Sequence, residues 1–119
     1  IAFWHLLFIH ATIFVTRKRK KMSRVVAHLK VCLANTYGVY LKTQNYHWNV
    51  TGPLFYSIHE ITENDYKELA NAIDEIAESI RSLGETPPGT LAEFISLSSI
   101  KEQNEIFSKI QEDFHAINV

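Results

Sequence analysis

The placement of chain breakers constrains this sequence more than any other feature. Proline occurs only at 53, 87 and 88, and glycine only at 38, 52, 84 and 89. Helices can therefore run long between these points and must end near them. Residues 23–48 carry Val26, Leu29, Leu33, Tyr37, Tyr40 and Leu41 at steps of three and four, the spacing of one helix face. Gly38 lies inside this stretch and weakens it, by up to about 1 kcal/mol relative to alanine. Gly52-Pro53 closes the stretch. A second helix is predicted to open on a capping box, Ser57-Ile-His-Glu60, and to run to Leu83, with Gly84 as its stop. Its apolar stripe is Ile58, Leu69, Ile73, Ile76 and Ile80. After the Pro87-Pro88-Gly89 turn, Thr90-Leu-Ala-Glu93 is another capping box and opens a short helix. A third box, Ser99-Ile-Lys-Glu102, opens a helix with Ile106, Ile110 and Phe114 on its apolar face. No segment reads as a strand. The expected fold class is all-α, an antiparallel bundle.

At 119 residues, 46% apolar and 21% charged, the chain has the size and composition of one globular domain and not of a disordered segment. Its net charge of −1 gives no chain-wide attraction to nucleic acid. Basic charge is instead concentrated in Arg17, Lys18, Arg19, Lys20 and Lys21, and most of the acids follow residue 59. The single Cys32 has no internal partner, which fits a reducing compartment. Residues 1–15 are strongly apolar but fall short of the ~20 residues of a spanning helix. The basic block follows this run, whereas a signal peptide places its charges first. Two readings remain for residues 1–21: a truncated membrane segment, or an extension upstream of a start at Met22. The second is preferred, with 22–119 as the domain. The chain opens on Ile1 and stops at Val119 without a C-cap signal, so it reads as a piece of a longer one.

The histidines and acids of the second helix carry the chemistry. With His59 set at 0°, Glu63, Asp74 and Glu78 fall at about 40°, 60° and 100°. The arc borders the apolar stripe. Acid pairs four apart commonly decorate a wetted surface, and a histidine at a helix end, such as His47, is commonly packed or capping. Together, however, His59 with Glu63 and Asp74 with Glu78 on one arc, and His47 just ahead of them, point to a metal-ligand set as readily as to a solvated face. His59 and Asp74 lie 15 residues apart, or about 22 Å along a helix, too far for one coordination sphere. Two antiparallel copies across a two-fold axis remove the difficulty. His47, His59 and Glu63 of one chain would then meet Asp74 and Glu78 of its mate. Imidazole with carboxylate suits iron, manganese or zinc. Three carboxylates favour iron in both oxidation states, and zinc is not excluded by ligand type.

At these residues the chain resembles the Dps family of small ferritin-like proteins. The first family pattern is present as His47-Trp48, Val50, Gly52, Ile58-His59 and Glu63. The second is present as Ile73-Asp74-Glu75-Ile76-Ala77-Glu78, then Leu83-Gly84 and Pro87. The resemblance covers about residues 25–119 and does not extend to 1–21. It implies a ferritin-like four-helix bundle, here cut in the third helix with the fourth absent. It also implies a ferroxidase centre built from His47, His59 and Glu63 of one subunit with Asp74 and Glu78 of the two-fold mate. The expected activity is oxidation of Fe(II), preferentially with hydrogen peroxide, and storage of Fe(III) in a hollow dodecamer, in the cytoplasm of a bacterium. Such chemistry protects DNA by suppressing hydroxyl radicals. Tyr46 and Trp48 would act as electron donors to stray radicals or simply pack at the dimer interface. The Arg17–Lys21 block would serve DNA binding, as lysine-rich tails do in some members, or would face anionic lipids. Ser79 departs from the arginine often found there, which puts an ion pair in doubt and no metal ligand. With an incomplete bundle, these 119 residues are not expected to assemble a stable cage.

Overall fold

The computed structural model describes residues 2–101, with side chains from residue 12 onward. Three helices follow one another: α1 (Ala2–Asn49), α2 (Phe55–Ser82) and α3 (Leu91–Leu97). The described residues contain no strand, as expected for an all-α chain. The helix opened by Ser99-Ile-Lys-Glu102, with Ile106, Ile110 and Phe114, lies outside the described residues.

α1 begins at Ala2, not near residue 23. Nothing from residue 2 to 37 breaks a helix, and arginine and lysine are good helix formers. The basic block therefore continues the helix instead of ending it. At 48 residues, α1 is about 72 Å long. Ile13, Phe14 and Val15 are exposed, as are Arg17 to Lys21. No helix among the described residues is long and apolar enough to cross a membrane.

α1 and α2 form an antiparallel hairpin. Val26 and Leu33, in the middle of α1, meet Ile80 near the end of α2, and Leu29, Ile73, Ile76, Ala77, Leu83 and Phe94 pack around them. At the opposite end, His47 of α1 meets His59 of α2. Leu33 and Ile80 are sealed from solvent, and their burial is worth about 1.5–3 kcal/mol each. Leu41, placed on the core face by its spacing, is instead 45% exposed. The hairpin covers only part of α1's circumference, and Leu41 falls beyond the stripe that faces α2.

The start of α2 also differs from expectation. Ser57 does not cap it. The helix opens three residues earlier, behind Leu54, with no side-chain cap. Gly52 takes φ +98°, and the Phe55 amide donates to its carbonyl at 3.1 Å. This turn launches the helix before Ser57 is reached. Glu60, the expected reciprocal partner, accepts instead from Tyr56 Oη at 2.8 Å. The stop at Gly84 is as the sequence suggests. Its φ is +83°, and the Gly84 and Glu85 amides donate back to Arg81 O and Ile80 O. These are the paired bonds of a Schellman motif, which needs a left-handed residue.

α3 carries the predicted capping box. Thr90 Oγ1 accepts from the Glu93 amide at 3.2 Å, and Glu93 Oε2 accepts from the Thr90 amide at 3.0 Å and from the Gly89 amide at 3.1 Å. Asn35 of α1 then fixes the segment after α3. Its Oδ1 accepts from Ser98 Oγ and the Ser99 amide, and its Nδ2 donates to Ser99 Oγ. Gly38 does not interrupt α1, which continues to Asn49. A Cβ there would stand 3.4 Å from Ile100 Cβ, in van der Waals contact with it.

Candidate metal centre

The last turn of α1 and the first turns of α2 bring together three side chains that could hold a metal ion. His47 ends α1, and α2 supplies His59 and, one turn later, Glu63. Each offers a ligand atom, and the three atoms lie within 4.8 Å of one another. His47 is 8% exposed, and His59 and Glu63 are half-buried. The Gly52 turn makes this possible by folding the chain back within five residues.

The two histidines hold each other in place. His47 Nδ1 bonds the His59 carbonyl at 2.8 Å, and His59 Nδ1 bonds the His47 carbonyl at 2.9 Å. A carbonyl only accepts, so each Nδ1 carries a proton, and in the neutral ring Nε2 is then the atom with the lone pair. Carbonyl partners of this kind orient metal-binding imidazoles in known sites. The rings stack with centroids 3.8 Å apart. Phe55 stacks on the other side of His59 at 5.0 Å, and Tyr66 stands edge-on to His47 at 5.2 Å. Thr62 Oγ1 donates to Ile58 O at 2.6 Å and lies 3.4 Å from His47 Nδ1.

Glu63 is the anion of this wall, and Lys67 one turn further along α2 is paired with it at 2.5 Å. The hydrogen bond from Lys67, and then its charge, hold the Glu63 carboxyl below the usual carboxylate range, with smaller contributions from His47 and His59. Glu63 therefore stays ionised, as a ligand must.

Asp74 and Glu78 stand apart from the three. Both are exposed and neither joins the cluster. One chain thus brings His47, His59 and Glu63 together and leaves Asp74 and Glu78 exposed elsewhere on α2. Tyr46 is half-buried, and its burial raises the phenol's pKa. Trp48 is 62% exposed. Ser79 Oγ donates to the Glu75 carbonyl within its own helix.

Sequence reasoning overlooked Phe55, Thr62, Tyr66 and Lys67. For three of them a signal was present. Thr62 and Tyr66 lie three and seven residues after His59, on its helix face, and Lys67 follows Glu63 by four. Phe55 was hidden because the helix was expected to start after it.

A family model described as a ferritin-like domain matches residues 26–118. The DNA protection during starvation protein of Helicobacter pylori is 36% identical over 101 residues, 79% of this chain and 68% of that protein. The chain belongs to the Dps family. An uncharacterized low temperature-induced protein of Nostoc is 42% identical over 78 residues, 66% of this chain and 44% of that protein. The chain thus spans about half to two thirds of the length of these relatives. Among solved structures, a Dps protein of Vibrio cholerae O1, described as a member of a broad superfamily of ferritin-like diiron-carboxylate proteins, superposes with a TM-score of 0.66. It shares 34% identity and covers 70% of this chain and 53% of its own. The likeness to Dps proteins places the helices of this chain in a ferritin-like bundle.

Proposed function

We propose that this Dps protein takes up Fe(II), oxidises it at a site shared between two subunits, and retains the product as Fe(III), so protecting DNA from oxidative damage. The observation that carries the proposal is the convergence of His47, His59 and Glu63, with both Nδ1 atoms tied to carbonyls. Asp74 and Glu78 of a two-fold mate supply the other half, since they are exposed and Asp74 lies about 22 Å along α2 from His59. The description of the Vibrio cholerae protein as diiron-carboxylate and the starvation-protection name of the Helicobacter pylori relative support iron as the substrate and DNA protection as the outcome.

The chain's own residues do three things in this reaction. Preorganised imidazoles bind the ferrous ion without a search for geometry. Carboxylate oxygens, being hard donors, favour the ferric product over the ferrous substrate. Burial of His47 limits solvent at one side of the wall. With hydrogen peroxide as oxidant, two ferrous ions each give up one electron. The O–O bond breaks, and its oxygens take two protons to leave as water. Assembly into a dodecamer, bacterial cytoplasmic location and preference for peroxide over dioxygen belong to the same proposal.

Stopped-flow absorbance during Fe(II) addition, with peroxide or dioxygen, tests it. Fast oxidation with peroxide that is lost in His59→Ala supports the reading. Equal rates in the two proteins refute it.

A second reading rests on the exposed Arg17–Lys21 block. Among the described residues it makes no ion pair, so its charges are free for phosphate. Five consecutive residues encircle the helix, forming a collar rather than a stripe. Phosphate contacts of this kind are independent of sequence and weaken with salt. A gel shift that disappears when these five residues are replaced by glutamine, and also at high salt, supports DNA binding. An unchanged shift refutes it.

A further inference from the structure

Lys67 has no part in the ligand set, yet its ammonium sits on the one anionic ligand of the wall. We propose that Lys67 is a built-in competitor cation that occupies Glu63 until a divalent ion displaces it, and so sets the metal concentration at which the wall loads. This rests on the reading of His47, His59 and Glu63 as a metal-binding wall.

Three observations carry the proposal. Glu63 and Lys67 are four apart on α2 with the acid nearer the N-terminus, the more favourable order for such a pair. Their contact is 2.5 Å, and the Lys67 side chain is 61% exposed. The ammonium is thus in direct contact with the ligand and on a flexible stem with solvent around it. It can leave without breaking a packed structure. No other pair of opposite charges lies near the wall among the described residues, since the other ion pair joins Lys30 to Glu85 at 4.0 Å, at the far end of the hairpin.

The consequence follows from charge. The histidines are neutral when they coordinate through Nε2, so Glu63 is the wall's only anion. With Lys67 on it, the wall is neutral overall and holds no net attraction for cations. A divalent ion must outcompete an ammonium already in place, and then sits within a few ångströms of a like charge until the lysine swings outward. A monovalent ion gains too little from two imidazoles to displace it. Lys67 therefore lowers the wall's affinity for a divalent ion.

The test is calorimetric titration of the full chain with Co(II) alone, a redox-quiet probe at neutral pH. Lys67→Met, which keeps most of the stem and a good helix former, should bind Co(II) roughly threefold to tenfold more tightly than the unmodified protein. The gain should shrink between about 20 and 200 mM salt as charges are screened. Lys67→Arg should resemble the unmodified protein, because it restores the cation. Equal or weaker binding by Lys67→Met, with native helicity by circular dichroism, overturns the proposal. His59→Ala separates this from failure of the underlying reading. If it binds Co(II) as tightly as the unmodified protein, the wall itself is not the metal site, and the role of Lys67 falls with it.

Discussion

The two ends of the α1–α2 hairpin are built on different principles. At one end Leu33 and Ile80 are sealed from solvent among Val26, Leu29, Ile73 and Phe94. The contacts there are apolar, non-directional and tolerant of small shifts. At the other end His47 and His59 face each other across the same pair of helices, joined by two reciprocal hydrogen bonds to backbone carbonyls. Those contacts are few and directional. The apolar end supplies the stability that holds the helices together, and the polar end uses the resulting register to aim two imidazoles. The proposed metal site lies where the packing is thin, because a closed apolar end offers no lone pair to a cation.

Removing packing from the apolar end should give the largest effect. Leu33→Ala should destabilise the protein by about 2–5 kcal/mol, and denaturant unfolding should show it as a lower midpoint. Metal binding should weaken as well, since register at the far end depends on this core. A Leu33→Ala protein of unchanged stability would mean that the hairpin is held chiefly by its turn.

The reverse change attacks the polar end alone. His47→Ala should abolish Co(II) binding by the wall, yet unfold at a midpoint much closer to that of the unmodified protein than Leu33→Ala does. The histidines contribute about 1 kcal/mol per hydrogen bond, less than a sealed leucine. If His47→Ala proved the more damaging to stability, the division of labour between the ends would be wrong.

The sequence announces these ends unequally. The apolar stripes of both helices are legible because they repeat at the helical period, and Val26, Leu33 and Ile80 of those stripes are indeed buried. The Gly84 stop and the Thr90–Glu93 box are legible because each is a local hydrogen-bond pattern written in consecutive residues. The Ser57–Glu60 box has the same letters and fails, because the Gly52 turn starts α2 upstream of it. Local patterns compete, and the turn that comes first decides. The upstream reach of α1 is illegible for another reason: a helix needs no stripe to continue, only the absence of a breaker. The wall of His47, His59 and Glu63 is legible through spacing. The neighbours that shape it are less so, since Phe55 and Tyr66 look like any core aromatics until the ring contacts are seen.

Smaller effects sharpen the comparison at the edges of the apolar end. Gly84→Ala places a Cβ at φ +83° and should cost about 1 kcal/mol, with fraying of the last turn of α2 visible in amide exchange and no change in Co(II) affinity.

The smallest effect is a titration. Hydrogen bonds from Thr90 Oγ1 and from the Gly89 and Thr90 amides, in that order, hold the Glu93 carboxyl below its ordinary range. The folded protein thus releases this proton more readily than the unfolded chain. The cap's contribution is complete above the ordinary carboxylate value of about 4.3 and is lost as pH falls through the lowered one. A carbon-13 titration should find Glu93 ionising below the unfolded range and returning toward it in Thr90→Ala. An unshifted Glu93 in the native protein would contradict the cap.

The division of the hairpin into a holding end and an aiming end leaves the acids Asp74 and Glu78 pointing outward between them. We place them in a neighbouring subunit's wall, and mixing two crippled chains tests that assignment most directly. His59→Ala lacks a wall and Asp74→Ala lacks the opposing acid. In a verified heterodimer of the two, one site holds both defects and the other holds neither. Calorimetry with Co(II) should therefore find native-affinity binding at half the native stoichiometry in the mixed dimer, and none in either parent. Mixed dimers that bind no better than the parents, or an Asp74→Ala parent that binds like the unmodified protein, would contradict a site shared between two chains.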